Sequence, residues 1–397
     1  MPGPLDGIRV VELTDDLSGA FCGKMFAGFG AEVILVERPR VGTEVRWQPP
    51  FLDDISGAER SGLFLYTGTG KRSLTLDASH PDGREIFTRL LARADLLIED
   101  RGDGTPVLGA ETKPPKINPR LVRATLRKWS RGGPYEDYVA ATELQIGALG
   151  GWAIQVGEPG RTPLLSSSRT MSAFVPGIVT ASAAFAAVMR ARKTGEGSNV
   201  DLAAHEALLF NTRFNETYYA YANFEVRRHG RSFAGWSPTY RVFEASDGYV
   251  SCAASTDAQV ELFLQCAGVD LEGFETREQR YERAEELVER LSAWTRSKTR
   301  DEIFHEAQQW RIPMGKVSTI DEVEALDQLV DRGFFQEVEH PVAGRQTYPG
   351  IPAWFSNGPR FTVARAPILG EHTIEILCGE LGYSREDVSA LTGLGVV

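Results

Sequence analysis

The first hundred residues alternate between two hydrophobic rhythms. GIRVVEL and AEVILVERP are short β-branched runs. GAFCGKMFAGFG, between them, reads as a helix closed by glycine at its C-terminus. RSLTLD, the helical PDGREIFTRLLARA and DLLIED repeat the exchange, and PRLVRATLRKW adds another strand. Strands alternating with helices predict an α/β fold with a parallel, doubly wound sheet.

The pattern then lengthens. SSSRTMSAFVPG (166–177) runs into the alanine-rich IVTASAAFAAVMRA, which predicts a buried helix. Ser172 or Ser168 is the expected N-cap, and Pro176 is expected among first-turn positions that need no intrahelical donor. A capping-box spacing, Thr142 to Gln145, opens another helix, and NVDLAAHEALLFNTRF reads as a strand followed by a long helix. Residues 224–250 are rich in turn residues and aromatics, as at the entry to a partly antiparallel unit. A charged helical region follows at about 272–308, and two short helices are expected at 372–393.

Composition narrows the options. With 397 residues and 42% hydrophobic content the chain can fill two cores. A net charge of −11 and a pI near 5.2 argue against nucleic acid or an acidic membrane as the main partner. The scattered Cys22, Cys252, Cys266 and Cys378 form no CxxC pair, and the six histidines have no ligand spacing, so neither zinc nor a disulfide framework is expected. No signal-peptide pattern opens the sequence, which makes a cytoplasmic protein the expectation.

Three catalytic or cofactor patterns are incomplete. Glu37 stands at the end of the second strand, where a ribose-binding acid would be, but the glycine fingerprint of a dinucleotide fold is missing. YTGTGKRSL lacks the upstream glycine of a phosphate loop, which leaves Lys71 and Arg72 either a phosphate contact or a solvated turn. No GxSxG elbow surrounds Ser166, Ser167 or Ser168. The start of the alanine-rich helix has the free N–H groups of an anion or oxyanion site, yet SSSRTMSAFVPG contains no Asp, Glu, Cys or His.

The ordered set LDGIRVVELT, GAEVILVERP, GKRSLTLD, ADLLIED, INPRLV, GGPY, KTGEGSNVDL and APILGEHTIEIL…LGY resembles the family III CoA-transferases, with the α-methylacyl-CoA racemases as relatives. The resemblance implies a Rossmann-like large domain over 1–200, completed by about 366–397. A linker helix at 201–224, a smaller α+β domain at 225–330 and a return linker at 331–365 would complete the chain, and two subunits would interlock. Coenzyme A or an acyl-CoA is then the expected ligand, as substrate and not as a permanent cofactor, with a carboxylic acid as second substrate. Leu17, Ser18, Arg38, Lys71 and Arg72 match positions bordering CoA. Arg101 and Lys128 stand in two further segments of that border, Glu99-Asp100-Arg101 and Arg127-Lys128-Trp129-Ser130, both changed from the family pattern.

One departure bears on the chemistry. Members of the family carry a nucleophilic aspartate four residues ahead of a glycine; with Gly177 as that glycine, its place is Ala173. The loop that folds over the reacting centre aligns with the bulkier Phe233-Ala234-Gly235-Trp236. Glu143, at a supporting acidic position, is the remaining candidate acid, and a glutamate in a helix's first turn is also favoured by the macrodipole alone. The leading expectation is a CoA-binding, catalytically silent subunit that partners an aspartate-bearing paralogue in a heterodimer. The alternatives are a CoA-transferase acting through Glu143, and an isomerase- or lyase-type acyl-CoA enzyme; a homodimer is the alternative assembly.

Overall fold

The structure, a computed structural model, describes residues 3–100, 117–138, 143–155, 157–163, 171–211, 213–228, 230, 232, 237–356 and 361–397. Its contacts gather into two units, one of residues 1–150, 167–212 and 327–397, the other of 151–166 and 213–326.

In the first unit, β1 (Arg9–Leu13), β2 (Glu32–Glu37), β3 (Arg72–Thr75), β4 (Leu96–Asp100), β5 (Val122–Arg127) and β6 (Asn199–Ala203) form one six-stranded parallel sheet, ordered β3-β2-β1-β4-β5-β6. The winding reverses between β1 and β4, so the sheet is Rossmann-like and doubly wound, as the alternating signals predict. The unit's helices include α1 (Leu17–Gly28), α2 (Gly62–Thr67), α3 (Pro81–Leu91), α4 (Glu143–Leu149), α5 (Met171–Thr194) and α6 (Ala204–Asn211).

Strand side chains alternate between two cores. Val10, Val33, Leu96, Ile98, Val122 and Ala124 pack with Cys22 and Phe26 of α1 and Ala184, Val188 and Ala191 of α5. Val11, Ile34, Val36, Leu74 and Leu97 pack with Ile86, Phe87 and Leu90 of α3 and with Val388 and Leu391 of the helix Arg385–Gly393. Because both faces are covered, the strands read as continuous apolar runs. By length and composition α5 is able to cross a membrane, but its inner side is the cover of the first of these cores.

α1 ends as its glycines suggest. Gly30 takes φ +95°, and the Gly30 and Ala31 amides donate to the Ala27 and Phe26 carbonyls. The start of α5 differs from the expectation. The helix already includes Met171, so Ser172 lies inside it and is not its cap, while Ser168 falls outside the described residues. Pro176 is consequently the sixth helical residue and not part of the first turn, and it offers no N–H to the Ser172 carbonyl. Thr142 of the expected capping box is also outside the described residues, although α4 begins at the next residue.

The second unit holds α7 (Arg213–Ala222), α8 (Asp257–Cys266), α9 (Arg277–Glu282), α10 (Ala284–Arg296) and α11 (Arg300–Gln309). Its sheet is antiparallel, with β7 (Tyr240–Ala245), β8 (Gly248–Ala253) and β9 (Met314–Lys316) in that order. Phe243, Val250, Phe263, Leu264, Leu287, Leu291 and Ile303 form its core. Capping boxes at Thr256, Thr276 and Thr299 start α8, α9 and α11.

The later part of the first unit adds a hairpin, β10 (Phe335–His340) with β11 (Gly344–Pro349), and a segment stitched to the early strands. Arg46 is the centre of that stitching. It is completely buried, donates to Glu37 Oε2 (2.6 Å) and Oε1 (2.9 Å) and to Glu59 Oε2 (2.9 Å), and reaches the Pro367 carbonyl (3.2 Å). Its guanidinium also lies 3.6 Å from the centre of the Phe64 ring.

Two outcomes follow from these buried charges. Arg46→Met leaves Glu37 in the core without its partner and is expected to cost about 3–5 kcal/mol, read as a lower urea midpoint. A midpoint equal to the parent's would show that this ion pair holds nothing together. Lys24, on α1, is also buried; it donates to Thr69 Oγ1 (2.6 Å) and lies 4.1 Å from the Tyr66 ring centre. Burial, and then repulsion from Lys71, pulls its pKa from 10.5 down to about 8. Between those values the unfolded chain binds more protons than the folded one, so this group's contribution to stability rises with pH across that window. Lys24→Met is expected to flatten the stability profile there, measured by denaturation at stepped pH, and an unaltered slope would contradict the assignment.

Candidate functional site

Parallel strands present their carboxyl ends at one edge, and the crevice of such a sheet opens where the winding reverses, here between β1 and β4. Acidic side chains gather at that point. Asp16 follows β1 and caps α1, its carboxylate accepting from Ser18 N (2.9 Å) and Ser18 Oγ (2.8 Å). Asp16 also pairs with Lys128, one residue past β5. Asp100, the last residue of β4, accepts from the backbone N–H groups of Asp15 (2.6 Å) and Asp16 (3.1 Å). Gly19 is required beside it, since a Cβ there would stand 2.3 Å from Asp100 Oδ2.

The two carboxyl groups are driven apart in acidity. Burial, reinforced by the Asp16 charge, pushes Asp100 well above the ordinary carboxylate range, against the pull of the two amides and Lys128. Burial also opposes ionisation of Asp16, but the Lys128 charge and hydrogen bond, with the Ser18 donors, outweigh it and hold the group below its usual value. The crevice therefore sets a group that favours its proton beside one that favours its charge, with Lys128 joining β5 to the start of α1.

The residues expected from the sequence fall in several places. Leu17 and Ser18 form the buried first turn of α1 at the crevice. Arg38, just past β2, is half exposed and held by Glu44 (2.6 Å) and Asp15 (3.3 Å). Lys71 does not face the crevice or solvent. It is buried, with Nζ donating to Glu12 Oε1 (2.8 Å) and to the Ala20 carbonyl (2.8 Å). Glu12 is enclosed with it, and burial raises its pKa against the pull of Lys71. The Arg72 guanidinium bonds Glu32, at the start of β2, along with Glu375 and Glu380, so it points to the amino edge of the sheet. These two cations answer carboxylates of the chain itself. Glu37 is likewise occupied, by Arg46 and by Ser73 Oγ (2.6 Å), and is not presented to a ribose.

Ala173 lies in the first turn of α5, 1% exposed, in an apolar cluster with Leu17, Ala20, Leu35, Phe64 and Leu65. The neighbouring Phe174 ring is 4.5 Å from that of Phe21 and 6.2 Å from that of Tyr66. Gly177 makes this packing possible, since a Cβ there would stand 2.7 Å from the Ser18 carbonyl oxygen. Arg101, Ser166, Ser167, Ser168, Arg169 and residues 233–236 lie outside the described residues. Of Glu143 only the backbone, at the start of α4, is described. Among the described residues no group of His, Cys, Asp and Glu is arranged to hold a metal ion.

Of the Asp16–Asp100–Lys128 cluster the sequence points to Lys128 but not to Asp16, although DLSG directly after a strand is a readable N-cap. Asp100 carried no comparable signal, because its partners are backbone amides 84 and 85 residues away.

Comparisons with known proteins agree with this architecture. Residues 5–373 match CoA-transferase family III. A succinate–glutarate CoA-transferase from Agrobacterium fabrum is 30% identical over 387 residues, covering 94% of this chain and 95% of that protein. The BbsE subunit of succinyl-CoA:(R)-benzylsuccinate CoA-transferase from Thauera aromatica is 30% identical over 411 residues, covering 98% and 97%. The crystal structure of a CAIB/BAIF family protein from Brucella suis superimposes with a TM-score of 0.82 at 28% identity, covering 96% of this chain and all of that one. By sequence and by fold, the chain belongs to the family III CoA-transferases.

Proposed function

We propose that this chain binds a CoA thioester but does not itself form the covalent intermediate, and that it serves as the silent subunit beside an aspartate-bearing paralogue in acyl-CoA:carboxylate CoA transfer. The observation that carries the reading is Ala173, a methyl group packed among apolar side chains where the family's nucleophile belongs. A methyl group has no lone pair to attack a thioester, and loss of a nucleophile removes most covalent catalysis even where the binding groups persist. The crevice, with Asp16, Lys128 and Arg38 at its border, supports retained binding of the thioester. That a relative of similar length is named as one subunit of a CoA-transferase supports a two-chain enzyme. The interlocked dimer and its division into large and small domains are part of this proposal. The four free thiols suit a reducing compartment such as the cytoplasm.

The purified chain alone is expected to bind acyl-CoA in calorimetry, to show no acyl exchange between CoA and free carboxylates, and to yield no hydroxylamine-trapped adduct. Transfer is expected only when the co-purifying paralogue is added. A homodimer that turns over unaided, with an adduct lost in Glu143→Gln, would replace this reading with transfer through Glu143.

A second outcome concerns the position itself. Ala173→Asp places a carboxyl group in an apolar cluster, and a cost of about 1–3 kcal/mol in stability is expected, measured by denaturant unfolding. A variant as stable as the parent would mean that the site already accommodates an acid.

A further inference from the structure

An aromatic series leaves the carboxyl edge of the sheet immediately after Lys128. The Trp129 ring is buried, 5.1 Å from the His205 ring at the start of α6. Tyr135 also meets it edge-on at 5.5 Å, and Tyr138 stacks on Tyr135 with ring centres 5.1 Å apart and planes inclined by 25°. Exposure climbs along the series from 6% at Trp129 to 46% at Tyr135 and 60% at Tyr138. The innermost ring is therefore fixed by the core, Tyr135 rests against it, and the outermost presents its surface to solvent.

A tyrosine at this degree of exposure gains little from burial, yet it is held in a stacked geometry by a neighbour that is itself anchored. Such a ring is a prepared surface for another flat one: stacking is sequence-tolerant, needs no charge, and loses little side-chain entropy when the platform is already ordered. Charge does not provide an alternative account. Arg127 and Arg131 share Asp201, at 3.3 and 3.7 Å, Lys128 is paired with Asp16, and Glu136 accepts from the Gly132 amide.

We infer that Tyr138, backed by Tyr135 and Trp129, is a stacking platform for a planar ring carried by the bound thioester. This rests on the CoA-binding reading above and adds a site to it. Two parts of such a ligand have this chemistry, the adenine of CoA and an aromatic acyl group.

Calorimetric titration of the full-length chain and of Tyr138→Ala and Tyr138→Phe with acetyl-CoA, benzoyl-CoA and benzoyl-pantetheine tests it. Tyr138→Ala is expected to weaken binding about tenfold, whereas Tyr138→Phe, which keeps the flat face, stays near the parent. If adenine is the ring, the loss appears with both CoA thioesters and not with benzoyl-pantetheine. If the acyl group is the ring, it appears with both benzoyl thioesters and not with acetyl-CoA. Binding equal in the parent and Tyr138→Ala for all three ligands overturns the platform alone. No binding of any of them by the parent at millimolar concentration overturns the CoA-binding reading and the platform together.

Discussion

The close approach of α5 to α1 is the constraint on which this architecture depends. At Gly177 the two helices meet with no room for a side chain, and the first turn of α5 is thereby pressed onto the first turn of α1. α1 is in turn fixed by Asp16 at its cap and by Asp100 beneath Gly19, so one glycine contact ties α5 to the crevice of the sheet. The residue four positions before Gly177 is held by the same contact. In this chain that residue is an alanine, buried in one apolar cluster with Leu17, Ala20, Phe64 and Leu65.

The crevice and the interior use charge differently. Inside, Glu12 with Lys71 and Glu37 with Arg46 are closed pairs whose partners come from the chain itself. A buried pair of this kind is weak evidence for added stability, but removing one member leaves an uncompensated charge. At the crevice the pairs are half open: Arg38, Lys128 and their carboxylate partners keep partial exposure. The same residue types are therefore closed off in one place and left accessible in the other. Burial is what separates them.

Much of the fold was legible because the sheet is covered on both faces. Runs such as VVEL, EVILVE and DLLIED, each followed by an amphipathic segment, specify parallel strands with crossover helices, and the family resemblance rests on the same order. Individual charges were much less legible. KRS looks like an exposed basic turn, yet Lys71 enters the core, because the carboxylate that meets it is 59 residues earlier in sequence. EVRW gives no sign that Arg46 is the largest fully buried side chain among the described residues, since its partners come from β2, residue 59 and residue 367. Proline favours a helix's first turn, which is where the sequence points for Pro176, whereas the helix starts earlier and accommodates it within. Local pattern reports which residues form an element; long-range partners decide what a polar side chain does there.

The stitching of residues 366–397 onto the early strands sets an order of events during synthesis. Arg46 reaches the Pro367 carbonyl, Ser73 Oγ accepts from the Gly370 amide, and Thr75 meets Thr373, contacts that bridge about three hundred positions. While the ribosome is still adding the middle of the chain, β2 and β3 exist but the surface that covers them does not. The first unit is therefore begun by the start of the chain and closed by its end, with the sequence of the other unit inserted between its parts.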